Sequence, residues 1–193
     1  LVRALPSRHA SPKGSSYADP DSPIRADIQR MTALAVTHYR WNLEALLRAA
    51  AARDVPVVLA TVATNYRFAW LQAYRSAGVG DRGDLERRTA KAEELAQAGR
   101  HPEARAAWQS AIDESAWPRE ATTAINATTR ELAQQYGCAL VDGDTLFYLG
   151  SPDGITASGR FWDDLHPTRE GHELLARAFT PLVVEAASAY DSR

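Results

Sequence analysis

From Ser22-Pro23 onward, Ile24, Ile28, Met31, Ala35, Tyr39, Asn42 and Leu46 recur at three- and four-residue steps. That spacing predicts a long amphipathic helix, or two in line, with Ser22 as N-cap, Pro23 in the first turn and an end near Arg53-Asp54. Val55 to Val62 is then a short, continuous apolar run rich in β-branched residues, the pattern of a parallel strand covered on both faces. Two helical patterns follow over 84–116, separated by Gly99-Arg100-His101-Pro102. After Trp117-Pro118 another helix is expected through Ala124, Ile125, Thr128, Leu132 and Tyr136, stopping at Gly137. Cys138 to Asp142 reads as a second short buried strand. Gly143 to Leu149 reads as a turn leading into an apolar segment, and 150–160 as a flexible loop rich in Gly and Pro. The last helix is expected from Pro167 to about Ala189, with Leu174, Leu175, Ala178, Phe179, Leu182 and Val183 on its buried side.

A helix followed by a buried strand is half of a βαβ unit, and here the unit repeats. The expected fold class is therefore α/β, the C-terminal part of a three-layer α/β/α domain with a parallel sheet. Two strands fall short of an open sheet of usual size, which points to missing N-terminal strands. The chain also opens on Leu1-Val2-Arg3, its only methionine being Met31, as either processing or a missing upstream segment would leave it. Residues 1–23, rich in Pro, Ser, Gly and Asp over most of their length, read as a loop or disordered lead-in; 24–193 form the domain.

Composition narrows the function classes. The 193 residues are 45% hydrophobic and 24% charged, enough for one core, and the net charge of −2 gives no reason to expect nucleic acid as a partner. No apolar run reaches the length of a membrane span, and no signal peptide is visible. The lone Cys138 excludes an internal disulfide framework and leaves the compartment open; opening a buried strand, it reads as a core thiol. No cofactor motif appears.

The candidate chemistry lies in Phe161-Trp162-Asp163-Asp164-Leu165-His166-Pro167-Thr168. A carboxylate three residues before a histidine, at a loop-to-helix junction, can hold one ring nitrogen and leave the other as acceptor for general-base work. The blander reading is that His166 caps the next helix and Asp163 is an ordinary loop carboxylate. Asp164, two residues from His166, is expected to face solvent or cap the helix with Thr168. His172 invites a metal site with Asp163 and His166, but no third well-spaced ligand appears, so no metal is expected.

The block resembles the final conserved segment of the SGNH (GDSL) hydrolases, an esterase and lipase superfamily with a flavodoxin-like fold. The resemblance implies that Asp163 is the orienting acid and His166 the base of a Ser-His-Asp triad. Trp41-Asn42-Leu43, Val55 to Thr61 and Thr64-Asn65-Tyr66-Arg67 look like a subgroup that carries tetratricopeptide-like helices between this strand and the last block. Residues 84–116 occupy that place, with Gly99, Ala104, Trp108 and Ala111 matching one half-repeat and Arg88 and Lys91 departing from it. The insert is expected to form a wall of the cleft, as a plain helical hairpin or as a surface for a protein partner, with Trp108 in its core.

The resemblance covers most of residues 24–189. The Gly-Asp-Ser block that supplies the nucleophile, and the Gly and Asn that complete the oxyanion hole, have no match. Gly14-Ser15-Ser16 lacks the preceding strand that a nucleophile elbow needs. Asn65 and Arg67, outside the carboxyl end of a strand, are candidate substrate-binding residues; Asn65 alternatively bonds its own turn. The expected function is a serine esterase acting on a small-molecule, glycan or lipid ester, such as an acetylated sugar. The alternatives are a non-catalytic helical interaction module and an acyltransferase using the same triad.

Overall fold

In the computed structural model, residues 23–67, 82–114, 120–151, 155 and 159–192 are described. The lead-in, apart from Pro23, lies outside them, as do Ser15, Ser16, Trp117, Pro118 and most of the 150–160 loop. The described elements are α1 (Pro23–Ala51), β1 (Val58–Ala60), α2 (Arg82–Gln97), α3 (His101–Asp113), α4 (Thr123–Tyr136), β2 (Ala139–Val141), α5 (Gly143–Leu149) and α6 (Arg169–Asp191). No helix among them is long and apolar enough to cross a membrane.

The three-layer α/β/α architecture is not what the chain adopts. The described residues are mainly helical, and their one sheet has two three-residue strands paired in parallel, Val58 with Ala139 and Ala60 with Val141. The apolar runs at 55–62 and 138–142 each condense to three paired residues, and no residue of β1 is fully buried. Such a run signals a strand, but strand number depends on partners that local pattern does not encode.

Helix α1 packs against α4 along a largely polar seam. Tyr39 Oη and Thr129 Oγ1 are 2.7 Å apart, Arg40 pairs with Glu131, and the Tyr136 hydroxyl lies 3.2 Å from both Glu44 Oε1 and Arg48 Nε. The buried stripe is out of phase with the expected one. Leu47 is buried, whereas Leu46 and Met31 are exposed, because α4 lies along the Tyr39-Leu43-Leu47 face. Helix α4 itself is closed at both ends by its own residues. Thr122 Oγ1 accepts from the Ile125 N–H at the start; at the end Gly137 takes a φ of 63° while the Cys138 N–H reaches Ala133 O at 2.8 Å.

Residues 143–149, expected as a turn leading into an apolar segment, form α5, because the Asp142 carboxylate caps the Thr145 N–H and hydroxyl. Helix α6 starts at Arg169, with Thr168 as N-cap, so Pro167 precedes the helix instead of opening it. Leu174, Leu175, Ala178, Phe179 and Leu182 are half-buried, but Val183 is exposed.

Helices α2 and α3 form a hairpin that turns at Gly99, with Pro102 in the first turn of α3. Ala92, Ala96 and Ala104 let the two backbones approach, and Trp108 fills the space beneath them, stacked at 6.5 Å on Tyr66 and beside the fully buried Ile155. Tyr66 follows β1 and Ile155 precedes the Asp163-His166 block, so the hairpin core is built partly from the chain segments that flank the site.

Candidate active site

The segment 160–168 folds back on itself ahead of α6. Phe161 and Pro167 form an isolated antiparallel bridge, the Trp162 N–H donates to His166 O at 2.8 Å, and the Thr168 N–H donates to Arg160 O at 2.8 Å. Phe161 is buried against Phe147 of α5, with ring centroids 4.8 Å apart. Gly171, in the first turn of α6, closes the base of this loop. A Cβ there would stand 2.4 Å from Arg160 O and 2.8 Å from Pro167 Cβ, so no other residue fits without a shift.

At the tip, the two oxygens of Asp163 divide the work. Oδ1 accepts from the backbone N–H groups of Leu165 at 3.0 Å and His166 at 2.8 Å; Oδ2 lies 2.7 Å from His166 Nδ1. The Leu165 and His166 amides, with the imidazole, hold the Asp163 carboxyl down to about 2, well below its usual range. An ionised carboxylate has no proton to give, so the bond requires the proton on Nδ1 and leaves Nε2 as the acceptor. The His166 side chain is 69% exposed, which leaves Nε2 open to solvent or substrate. Among the described residues, no Ser, Thr or Cys is bonded to Nε2.

Asp164 departs from expectation. It is 2% exposed and turned into the fold, and it is Thr168 that caps α6. Its carbonyl accepts the Asn65 backbone N–H at 2.9 Å, and the Asn65 side-chain Nδ2 donates to the Asp163 carbonyl at 3.0 Å. Asn65 therefore joins the Asp163-His166 loop through its backbone, being itself buried. Arg67 goes elsewhere: its Nε lies 4.0 Å from Glu93 Oε1 of α2. Of the four candidates, Asp163, His166 and Asn65 are brought together, and Arg67 faces the hairpin.

A second polar cluster at the carboxyl ends of the strands went unrecognised in the sequence. Asp144 pairs with Arg105 at 2.6 Å, and the Tyr66 hydroxyl, which donates to Gln109 Oε1 at 2.8 Å, lies 3.3 Å from Asp144 Oδ1. Asp142 takes Arg130 at 2.8 Å and the Thr61 hydroxyl at 2.7 Å. Burial pushes the Asp142 carboxyl up, but the bonds from Arg130, Thr61 and Thr145 outweigh it and hold the group down to about 2. The available signal was two aspartates directly after the second strand, where α/β units place polar groups.

Cys138 is half-buried just before β2, and burial pushes its thiol up, away from the thiolate a nucleophile needs. His172 sits exposed in the first turn of α6, its N–H bonded to Thr168 O. Compared with family models, with curated proteins and with solved structures, the chain gives no match in any of the three.

Proposed function

We propose that Asp163 and His166 are the acid and base of an acyl-transfer centre that hydrolyses esters, in the manner of an SGNH-type serine hydrolase acting on an acetylated sugar or a lipid. The observation that carries this reading is the bond between Asp163 Oδ2 and His166 Nδ1, made while Oδ1 grips the histidine's own backbone. A capping histidine would use its ring on helix ends, whereas here Thr168 caps α6 and the ring faces outward.

In the proposed reaction a serine hydroxyl attacks the ester carbonyl as Nε2 takes its proton, and the Asp163 carboxylate stabilises the imidazolium that forms. His166 then returns the proton to the leaving alkoxide, and water, activated by the same nitrogen, releases the acid. Exposure of His166 gives bulk water free access as the acceptor, which favours hydrolysis over acyl transfer. The serine required is not among the described residues bonded to His166.

Fluorophosphonate labelling of the full-length protein, with hydrolysis of p-nitrophenyl acetate alongside, tests the reading. His166→Ala should abolish labelling and lower hydrolysis on the order of 10³-fold or more. Equal labelling of the wild type and His166→Ala would sink it.

A further inference from the structure

The Asp163-His166 pair stands on an exposed loop, and the bonds of the Asp163 carboxylate are all local, to residues at most three apart. Local bonds of that kind set the shape of a turn but do not stop the turn from opening into solvent. A long-range tether does reach it. The Asn65 backbone N–H and side-chain amide bond the carbonyls of Asp164 and Asp163, two consecutive peptides, at 2.9 and 3.0 Å.

The segment bearing Asn65 is itself firmly held. The Asn126 side chain bonds both the N–H and the C=O of Val62, each at 2.9 Å, the Thr61 N–H reaches Val141 O at 3.1 Å, and the Thr61 hydroxyl reaches Asp142. The line of support thus runs from α4 and β2 through residues 61–65 to the peptide that carries the Asp163 carboxylate. A carboxylate orients an imidazole only if its own backbone is fixed.

We propose that Asn65 is a positioning residue for the Asp163-His166 pair, acting by fixing the Asp163 and Asp164 peptides and not by touching substrate. Its importance for turnover rests on the hydrolase reading, but its effect on the imidazole does not.

The test is the tautomer of neutral His166, read by two-bond proton–nitrogen correlation spectra of the ring at alkaline pH. In the wild type the Nδ1–H form should predominate, since Asp163 takes that proton. Asn65→Ala should lose the Nδ1–H pattern in favour of Nε2–H, the form that an unconstrained imidazole prefers. Leu47→Ala, a cavity under α1, which carries none of the bonds in that line of support, should lower the melting temperature and keep the wild-type pattern. If Asn65→Ala does not fold, Asn65→Ser, too short to reach the Asp163 carbonyl, should show the same loss. A wild-type tautomer ratio in the Asn65 variant that folds overturns the proposal, and so does an equal shift in Leu47→Ala. No substrate or nucleophile enters the measurement, so failure of the hydrolase reading would leave this result standing.

Discussion

Asp163 with His166 and Asp144 with Arg105 are two acid–base contacts of nearly equal length, 2.7 and 2.6 Å, yet they suit opposite tasks. The first joins residues three apart on an exposed loop and involves an imidazole, whose second ring nitrogen is left as an acceptor. The second joins residues 39 apart, is mostly buried, and involves a guanidinium. Burial alone would lower the Arg105 pKa, but the bond to Asp144 outweighs it and the group stays charged; the guanidinium also lies 4.6 Å over the Tyr148 ring. A pair that cannot exchange its proton serves as a clamp, here fastening the α2–α3 hairpin to the start of α5. Distance alone does not separate chemistry from scaffold; exposure and a free acceptor nitrogen do.

The sharpest way to break this contrast is to neutralise each acid in turn. Asp163→Asn keeps an oxygen for the Leu165 and His166 N–H groups but turns an NH2 toward Nδ1, forcing the wrong tautomer. Esterase kcat/KM of the full-length protein should fall about 10³- to 10⁴-fold with little change in melting temperature. Asp144→Asn should do the reverse, costing about 3 kcal/mol of stability in urea unfolding, because it leaves Arg105 charged and poorly paired.

Trp108→Ala lies on the scaffold side as well. Removing the indole from the hairpin core should cost about 3–5 kcal/mol by the same measurement, while the Asp163-dependent tautomer of His166 is retained. Loss of that tautomer would show that the hairpin, and not only Asn65, holds the loop.

Acid titration gives a smaller effect with a defined sign. The Asp142 carboxyl is lowered from the usual 3.8 to about 2, so its contribution to stability is complete above pH 4 and is lost as the pH falls through about 2. Urea unfolding at pH 5 and pH 2.5 should therefore show a flatter pH dependence in Asp142→Asn than in the wild type. The smallest effect belongs to the surface pair of half-exposed Arg40 and exposed Glu131; Arg40→Ala should change stability by no more than about 0.5 kcal/mol.

Parts of this arrangement were legible because they are made by neighbours in the chain. Gly137 ends α4 in the left-handed region, and Gly99 with Pro102 marks the hairpin turn. The small residues Ala104 and Ala111 alternate with Trp108 on the face that α3 buries. Other parts were misread for a common reason. Leu46 and Leu47 are equivalent by periodicity, and only the placement of α4 decides which is covered. Asn65 has the composition of a turn residue, but its amide partner lies 98 positions away. Asp142 and Asp144 gain meaning only when Arg130 and Arg105 arrive from other helices.

By itself, then, the sequence determined the features whose energetics are local: the helix stops, the two short apolar runs that become strands, and the three-residue spacing that lets Asp163 reach both the backbone and ring of His166. Tertiary structure alone decided how many strands pair, which face of α1 is buried, and what holds the Asp163-His166 loop in place. Those outcomes depend on surfaces meeting across long stretches of chain, and the free energy of such contacts is a property of the pair, not of either segment.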